Sequence, residues 1–238
     1  MKVDIISDCE GSFATVHEAF PGVDDDEPWT IPVNVALFRT RDATLLVDTG
    51  AGPKPRAFFA DGEARLLDEL ERLGVARDAI DIVVHTHLHI DHVGWSGAFP
   101  KARYVVHQDD WSYFMSEESL EQRPHLREKL LPADVELVEG AKEIAPGVTV
   151  FPTPGHTPGH MSVRAGSYAI VGDMVAHEAQ LSDPDLVFVN DVDRDQAVET
   201  RHRVLGELAD EGVEIVTGHL TRVGRIERAG KGFRWAVE

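Results

Sequence analysis

The sequence predicts an α/β protein in which two halves each contribute strands covered by helices. Both halves contain a pair of strands, then a helix, then a buried strand. The buried strand of the first half, IDIVV, runs into a histidine cluster that begins at His85, and that of the second half, VEIVTG, ends at His219. Sheets covered by helices commonly carry their sites at strand ends, so we expect the functional site there.

Local patterns define the elements of the first half. Residues 31–40 and 44–50 are apolar, β-branched runs separated by a short polar step, which predicts a hairpin. Leucines at helical spacing predict a helix over residues 62–73. Asp61 is a candidate N-cap for this helix, and Gly74 is its candidate stop.

The second half repeats this arrangement. VTVFPTP and YAIVGD have strand-like patterns, and residues 195–209 form an apolar stripe that predicts a helix ending before Gly212. Residues 108–131 fit the core of neither half, so we interpret them as an inserted helical flap. The last segment, GRIERAGKGFRW, predicts a short hairpin.

Length and charge limit the function classes. A chain of 238 residues suits one large domain over 1–238, and no 20–50-residue repeat is present. The net charge of −19 disfavours nucleic acids and anionic membranes as partners. No apolar run approaches the roughly 20 residues of a membrane span. One cysteine, Cys9, and a start without the pattern of a secretory signal predict a cytoplasmic protein.

The stretch VHTHLHIDHVG has the composition of a metal site. Imidazole is the commonest metal ligand in proteins, and zinc binds imidazole nitrogens and carboxylate oxygens. His87 and His89 lie two residues apart, so on an extended segment both rings point to the same side and can meet at one ion. Asp91 and His92 follow, where they can face a second ion beside the first.

Four ligands are too few for two ions, and later loops supply more. His156 follows a Pro-Gly turn that can hold its ring in one orientation. Asp173 and His219 each follow an apolar strand and a glycine. A carboxylate has two oxygens and can bridge two cations, so Asp173 is suited to join the ions. A lone histidine would usually be a core or surface residue, but the combination favours a metal site.

With these residues in this order, the sequence resembles the metallo-β-lactamase fold superfamily. The segments LLVDTGAG and TPGHTPGH are typical accompaniments of its THLHIDHVG motif, and the resemblance covers nearly the whole chain. It implies an αββα sandwich of two mixed β-sheets flanked by helices, with the metals at one edge of the sheets. It also implies two Zn²⁺ ions per chain, or other divalent metals in their place. His87, His89 and His156 would hold the first ion, Asp91, His92 and His219 the second, and Asp173 would bridge them.

Two such ions imply hydrolysis. Metal ions lower the pKa of bound water, so a bridging hydroxide can act as the nucleophile while the ions polarise the carbonyl and stabilise the leaving alkoxide. Asp91 could also pass a proton to the leaving group. Asp48, in VDTG, has two interpretations: a carboxylate that orients a ligand imidazole, or a turn-forming residue.

Within the superfamily, the departures favour a small-molecule substrate. Zinc β-lactamases lack the bridging aspartate that is present here as Asp173, and nuclease members do not fit the charge. What remains resembles the branch of quorum-quenching lactonases and phosphotriesterases, with acyl-homoserine lactones as leading candidates. The alternatives are phosphotriester hydrolysis and a thioesterase of the glyoxalase II type. From other classes, they are a one-iron redox enzyme and a non-catalytic metal module.

One position differs from some lactonases of this branch. They carry a tyrosine three residues after the bridging aspartate, and this chain has Ala176 there, followed by His177. Either His177 takes over the polar, catalytic role or the substrate differs. Four residues of the flap could line an apolar channel, or they could pack in its core; they also hint at a homodimer. These residues are Trp111, Tyr113, Phe114 and Met115.

Overall fold

A computed structural model of the chain describes residues 2–13, 15–53 and 63–237. Its first sheet is mixed: the first three strands are antiparallel, and the third to the sixth are parallel. In spatial and chain order the strands are β1 (Lys2–Phe13), β2 (Trp29–Arg39), β3 (Thr44–Val47), β4 (Ile82–Val84), β5 (Arg103–His107) and β6 (Asp134–Val138).

The second sheet is also mixed. Its strands are β7 (Lys142–Ala145), β8 (Val148–Pro152), β9 (Met161–Ala165), β10 (Tyr168–Ile170), β11 (Glu214–Val216), β12 (Gly224–Ala229) and β13 (Gly232–Trp235). Only β10 and β11 pair in parallel; the other neighbours in the sheet are antiparallel.

Seven α-helices accompany the sheets within the described residues. They are α1 (Val16–Ala19), α2 (Leu66–Arg72), α3 (Gln108–Phe114), α4 (Glu117–Gln122), α5 (Pro124–Leu130), α6 (Ala179–Ser182) and α7 (Arg194–Glu211). Short 3₁₀ turns occupy Arg77–Ala79 and Gly172–Met174. None of the described helices is long and apolar enough to cross a membrane.

Three apolar layers stack these elements in the order helix, sheet, sheet, helix. Alternate residues of a strand point to opposite faces. In β2, Ala36 and Phe38 face the second sheet, whereas Val35 and Leu37 face the helices α2 to α5. On the far side of the second sheet, the apolar face of α7 packs in one cluster with residues of β10, β11 and β12. The expected αββα sandwich of two mixed sheets is therefore confirmed.

Most predicted elements appear, with shifted boundaries. The hairpin of β2 and β3, the strand β4, the terminal hairpin of β12 and β13 and the long helix α7 are all present. The helix predicted over 62–73 spans Leu66–Arg72; its proposed cap, Asp61, lies outside the described residues. Helix α7 has an N-cap at Asp193 and ends at Gly212, whose φ is 65°.

Two features differ from the predictions. The sequence pattern does not predict strand β1, because its alternation is interrupted by polar residues, yet it pairs with the whole of β2. The flap is helical as expected, but it is part of the core. Its residues Phe114, Leu120, Leu126 and Leu130 are buried against the first sheet. The flap therefore closes one outer layer of the sandwich instead of lying outside both halves.

Candidate metal centre and adjoining cavity

Four loops meet at one edge of the two sheets. They follow β4 (residues 85–92), connect β8 to β9 (153–160), follow β10 (171–174) and follow β11 (217–219). Because β10 and β11 are parallel, their carboxyl ends lie at the same edge. A bond from the Met161 amide to the Thr86 carbonyl, 2.9 Å, ties the first loop to the second sheet. The fold thus gathers distant polar residues at this edge.

The first group of ligand atoms comes from three histidines. Nε2 of His87 lies 2.9 Å from Nδ1 of His89, which lies 3.1 Å from Nε2 of His156. The residues i and i+2 therefore present different ring nitrogens to one point. All three atoms lie within 4.8 Å of one another, as a shared ion requires.

A second group lies directly beside the first and shares Asp173 with it. Oδ2 of Asp173 is 3.4 Å from Nε2 of His156 and 3.2 Å from Nε2 of His219. Its Oδ1 is 3.4 Å from Nε2 of His92. Oδ2 of Asp91 completes the group, 3.5 Å from the His219 nitrogen. All seven predicted ligands converge, with Asp173 between the groups.

Hydrogen bonds on the outer side of four of these rings fix which ring nitrogen faces the centre. A ring nitrogen that donates outward leaves the lone pair of the other nitrogen facing the centre. The pairs are His87 Nδ1 with Thr86 Oγ1 (3.1 Å), His92 Nδ1 with Asp48 Oδ2 (2.8 Å), His156 Nδ1 with Asp191 Oδ1 (2.9 Å) and His219 Nδ1 with the Pro32 carbonyl (2.9 Å).

The inward-facing atoms fit divalent cations. Nε2 of His92 and Oδ1 of Asp173 are buried, and neither has a hydrogen-bond partner among the described residues. The converging nitrogens of His87, His89 and His156 have more lone pairs than protons to share between them. A buried polar atom without a partner is costly, and a cation at each group would satisfy these atoms.

Charge at the centre points the same way. Burial disfavours the charged form of the Asp173 side chain, but His219 and His92 hold the pKa of its carboxyl group well below the usual value. The carboxylates of Asp173, Asp48 and Asp91 raise the pKa of His92 well above its usual value, again against burial. Three carboxylates around buried imidazoles make a local field that attracts cations.

The other buried histidines and Asp48 support the centre without joining it. His160 is buried, which lowers its pKa to about 3, and its Nε2 accepts a bond from the Asp173 amide, 3.2 Å. His85 pairs with Ser96, 2.9 Å. Asp48 combines both of its interpretations: it has a φ of 64° in the turn after β3, and its carboxylate holds His92.

A cavity of about 540 Å³ opens beside the ligands. Candidate ligands line part of it, and most of its other lining residues are apolar, which suits a molecule with one reactive polar end. Besides the ligands His89, Asp91, His156, Asp173 and His219, its lining residues are Trp29, Ile31, Leu88, Ile90, Tyr113, Arg123, His125, Phe188, Asn190 and Val192.

Of the flap aromatics, Tyr113 lines this cavity and is 43% exposed. Phe114 is buried in the core, and Trp111 and Met115 pack against it. His177 is not among the cavity-lining residues. Its ring lies against Trp29, with centroids 5.3 Å apart, and its Nδ1 accepts a bond from the Ala179 amide.

Sequence reasoning missed two buried carboxylates near the ligands. Asp191 holds His156, and Asp110 accepts bonds from the amides of Leu88 (3.2 Å) and Gly159 (2.7 Å). Burial raises the pKa of Asp110 to about 6. Neither residue has a local signal, because each acts on loops far away in the chain.

Comparison with known proteins supports the same family. The model of the metallo-beta-lactamase superfamily matches residues 29–219. The chain is 31% identical over 149 residues to N-acyl homoserine lactonase of Bacillus thuringiensis. It is 30% identical over 161 residues to N-acyl homoserine lactonase AiiB of Agrobacterium fabrum (strain C58). Both alignments cover 56% of this chain, and they span 58% and 57% of those proteins, less than two thirds of their length.

Solved structures share the fold over nearly the whole chain. The dizinc quorum-quenching lactonase AidC, in complex with a hexanoyl-homoserine product, gives a TM-score of 0.86 at 22% identity, over 99% of this chain and 94% of that one. The hydrolase AbOPH of the beta-lactamase superfamily gives 0.81 at 25% identity, over 98% and 92%.

Proposed function

The chain belongs to the metallo-beta-lactamase superfamily, and on that premise we propose that it is a dinuclear zinc hydrolase that opens N-acyl homoserine lactones. The observation that carries the proposal is the convergence of seven ligands around Asp173, beside a cavity with an apolar wall. The sequence similarity to N-acyl homoserine lactonases supports this choice of substrate.

The ligand atoms have the chemistry that zinc prefers. Imidazole nitrogen and carboxylate oxygen are zinc ligands, and the chain has no cysteine cluster that would close the site. His87, His89 and His156 would hold one ion, Asp91, His92 and His219 the other, and Asp173 both. When bound, two such ions supply a nucleophile from water at neutral pH and polarise a carbonyl oxygen.

The residues of the chain would do the rest. Asp91 lies at the cavity surface with its side chain 13% exposed, where its carboxylate can take up the proton released by the attacking water and pass it to the leaving alkoxide of the opened ring. The apolar wall would hold the acyl chain and exclude water from it. His177 was predicted to take a catalytic role; because it does not line the cavity and its ring lies against Trp29, we propose that it positions the Trp29 indole instead.

The test is ring opening of N-decanoyl homoserine lactone by the zinc-loaded protein, followed as release of acid. We expect fast turnover with two zinc ions per chain, measured by metal analysis of the same sample. The variants His89→Ala and Asp173→Asn should lose zinc and activity together, by on the order of 100-fold or more, because each removes a ligand.

Two results would contradict the proposal. Full turnover by Asp173→Asn would exclude the bridging role, and a protein with two bound zinc ions that opens no lactone would exclude the substrate. In the second case, aryl phosphotriesters and thioesters are tried on the same preparation. One equivalent of iron in place of two of zinc would instead favour the redox alternative.

A further inference from the structure

A buried arginine lies behind the metal centre. Arg201, on α7, is 1% exposed. Its Nε donates to the Met174 carbonyl, 2.8 Å, and its Nη1 donates to the carbonyls of Pro184 and Leu186, 2.8 and 2.9 Å. Burying a guanidinium is costly unless its donors are bonded. The bonds that Arg201 makes here therefore indicate a functional role for this side chain.

The same guanidinium faces Asp191, which touches a proposed ligand. Nη2 of Arg201 lies 3.6 Å from Oδ2 of Asp191, and both side chains are almost completely buried. Oδ1 of Asp191 is 2.9 Å from Nδ1 of His156. The contacts therefore run without a break from the guanidinium of Arg201 through the Asp191 carboxyl group to the ring of a proposed ligand.

The pair also holds the wall of the cavity. The Phe188 amide donates to Oδ2 of Asp191, 3.0 Å. The Phe188 ring lines the cavity and stacks on the His156 ring, with centroids 5.9 Å apart and an interplanar angle of 7°. Arg201 fixes Pro184 and Leu186 of the same segment, and it fixes Met174, which directly follows Asp173.

We propose that Arg201 and Asp191 are positioning residues that couple the metal centre to the substrate wall. Asp191 sets the tautomer and angle of the His156 ring, and Arg201 holds Asp191, the segment of residues 184–188 and the peptide after Asp173 in register. The coupling to the metal rests on the proposed metal centre alone, and the coupling to substrate rests also on the proposed lactonase function.

Zinc affinity, measured by competition with a chromophoric chelator, tests the metal part without any substrate. Asp191→Asn keeps the size of the side chain but removes the charge, so we expect one of the two zinc equivalents to bind 10–100-fold more weakly. The affinity for the other zinc equivalent should stay within about threefold of the wild-type value. Arg201→Met should weaken the same equivalent, and Arg201→Lys, which retains the charge beside Asp191, should recover part of the loss.

A spectroscopic control and a matched variant separate positioning from general destabilisation. In ¹⁵N-labelled, zinc-loaded protein, Asp191→Asn should shift the Nδ1 proton resonance of His156 and leave that of His92 in place. Asp48→Asn, which removes the charge of the carboxylate bonded to His92, should do the reverse. Thermal unfolding of each variant reports its stability separately.

The outcomes are distinct. Wild-type zinc affinity in Asp191→Asn and in any folded Arg201 variant would overturn the proposal, even if thermal stability falls. Should Arg201→Met fail to fold, Asp191→Asn decides alone. If zinc binding weakens as expected but no lactone is opened even by the wild type, the positioning role stands and the lactonase proposal fails. For an active enzyme, we expect kcat to fall more than KM rises.

Discussion

At the scale of single residues, Asp48 shows how backbone strain can serve a site. Its φ of 64° lies in the left-handed region, which costs a residue with a Cβ about 1 kcal/mol. In return its carboxylate accepts from the Thr86 amide and hydroxyl, both 2.8 Å, and holds His92. Burial opposes its ionisation, but the neighbouring imidazoles of His92, which is hydrogen-bonded to it, and of His85 lower its pKa to about 2. The strained turn thus holds a permanent carboxylate beside a ligand.

Cys9 provides a prediction at the same scale. Burial first, and then the negative charges of Asp8 and Asp91, raise the pKa of its thiol to about 12, and its side chain is fully buried beside Val33 and Ala51. Because the thiolate is the reactive form, we expect no reaction of the native protein with an aromatic disulfide reagent at pH 8. One thiol per chain should react after unfolding in guanidinium. Rapid labelling of the native protein would contradict the burial of Cys9.

The convergence of the candidate ligands could be predicted from the sequence, but the residues that support them could not. His87, His89, Asp91 and His92 are local in the chain, so their spacing is visible in the sequence. Among the later candidates, Asp173 and His219 follow apolar strands, and His156 follows a Pro-Gly turn. Asp191 and Asp110 act across 35 and 49 residues of chain. No periodicity reports such a contact, because only the fold brings the partners together.

At the scale of elements, the flap has one side in the core and one at the cavity. Helices α3 to α5 bury apolar residues against the first sheet, while Tyr113 of α3 remains 43% exposed at the cavity rim. Phe114, next to it, has its ring 5.5 Å from that of His89. Neighbouring aromatic residues of one helix therefore have different roles.

These two residues form a matched pair for mutation. Tyr113→Ala should change the free energy of unfolding by only about 0.5 kcal/mol. It should raise KM for the decanoyl lactone about tenfold, because it removes about 1–2 kcal/mol of apolar contact. KM for the butanoyl lactone should stay unchanged. Phe114→Ala should cost about 3–5 kcal/mol of stability. Urea unfolding and steady-state kinetics measure both; the same fold-change in KM for the two lactones on Tyr113→Ala would remove Tyr113 from the acyl site.

The fold elements were predictable where periodicity is strong, as in α7 and β2. Strand β1 was missed because its sequence alternates poorly, and its pairing with β2 over eleven residue pairs overrides local preference. The sequence pattern does not assign the flap to the core, because its apolar residues are spread over three short helices. Each helix buries only a few side chains, so none shows a clear stripe alone.

At the scale of the whole molecule, negative charge and the metal centre act together. The chain carries a net charge of −19, and the carboxylates of Asp48, Asp91 and Asp173 lie close together at the edge of both sheets. Like charges confined in one place destabilise the folded state. Because the ligands come from loops of both sheets, a cation held there would also tie the two sheets to each other.

Metal removal should therefore lower the stability of the entire fold. Binding to the folded state alone stabilises it by about 2.7 kcal/mol per site when free zinc is 100 times its Kd. For a chain of this size, each occupied site should therefore raise Tm by about 5–11 °C. Calorimetry of the protein with buffered zinc, and after treatment with a chelator, measures the difference.

Mg²⁺ is the control and should have little effect, because imidazole-rich sites favour zinc. Asp173→Asn should show a much smaller zinc-dependent rise, since both groups share that carboxylate, and an unchanged Tm in the wild type would mean that these seven residues hold no ion.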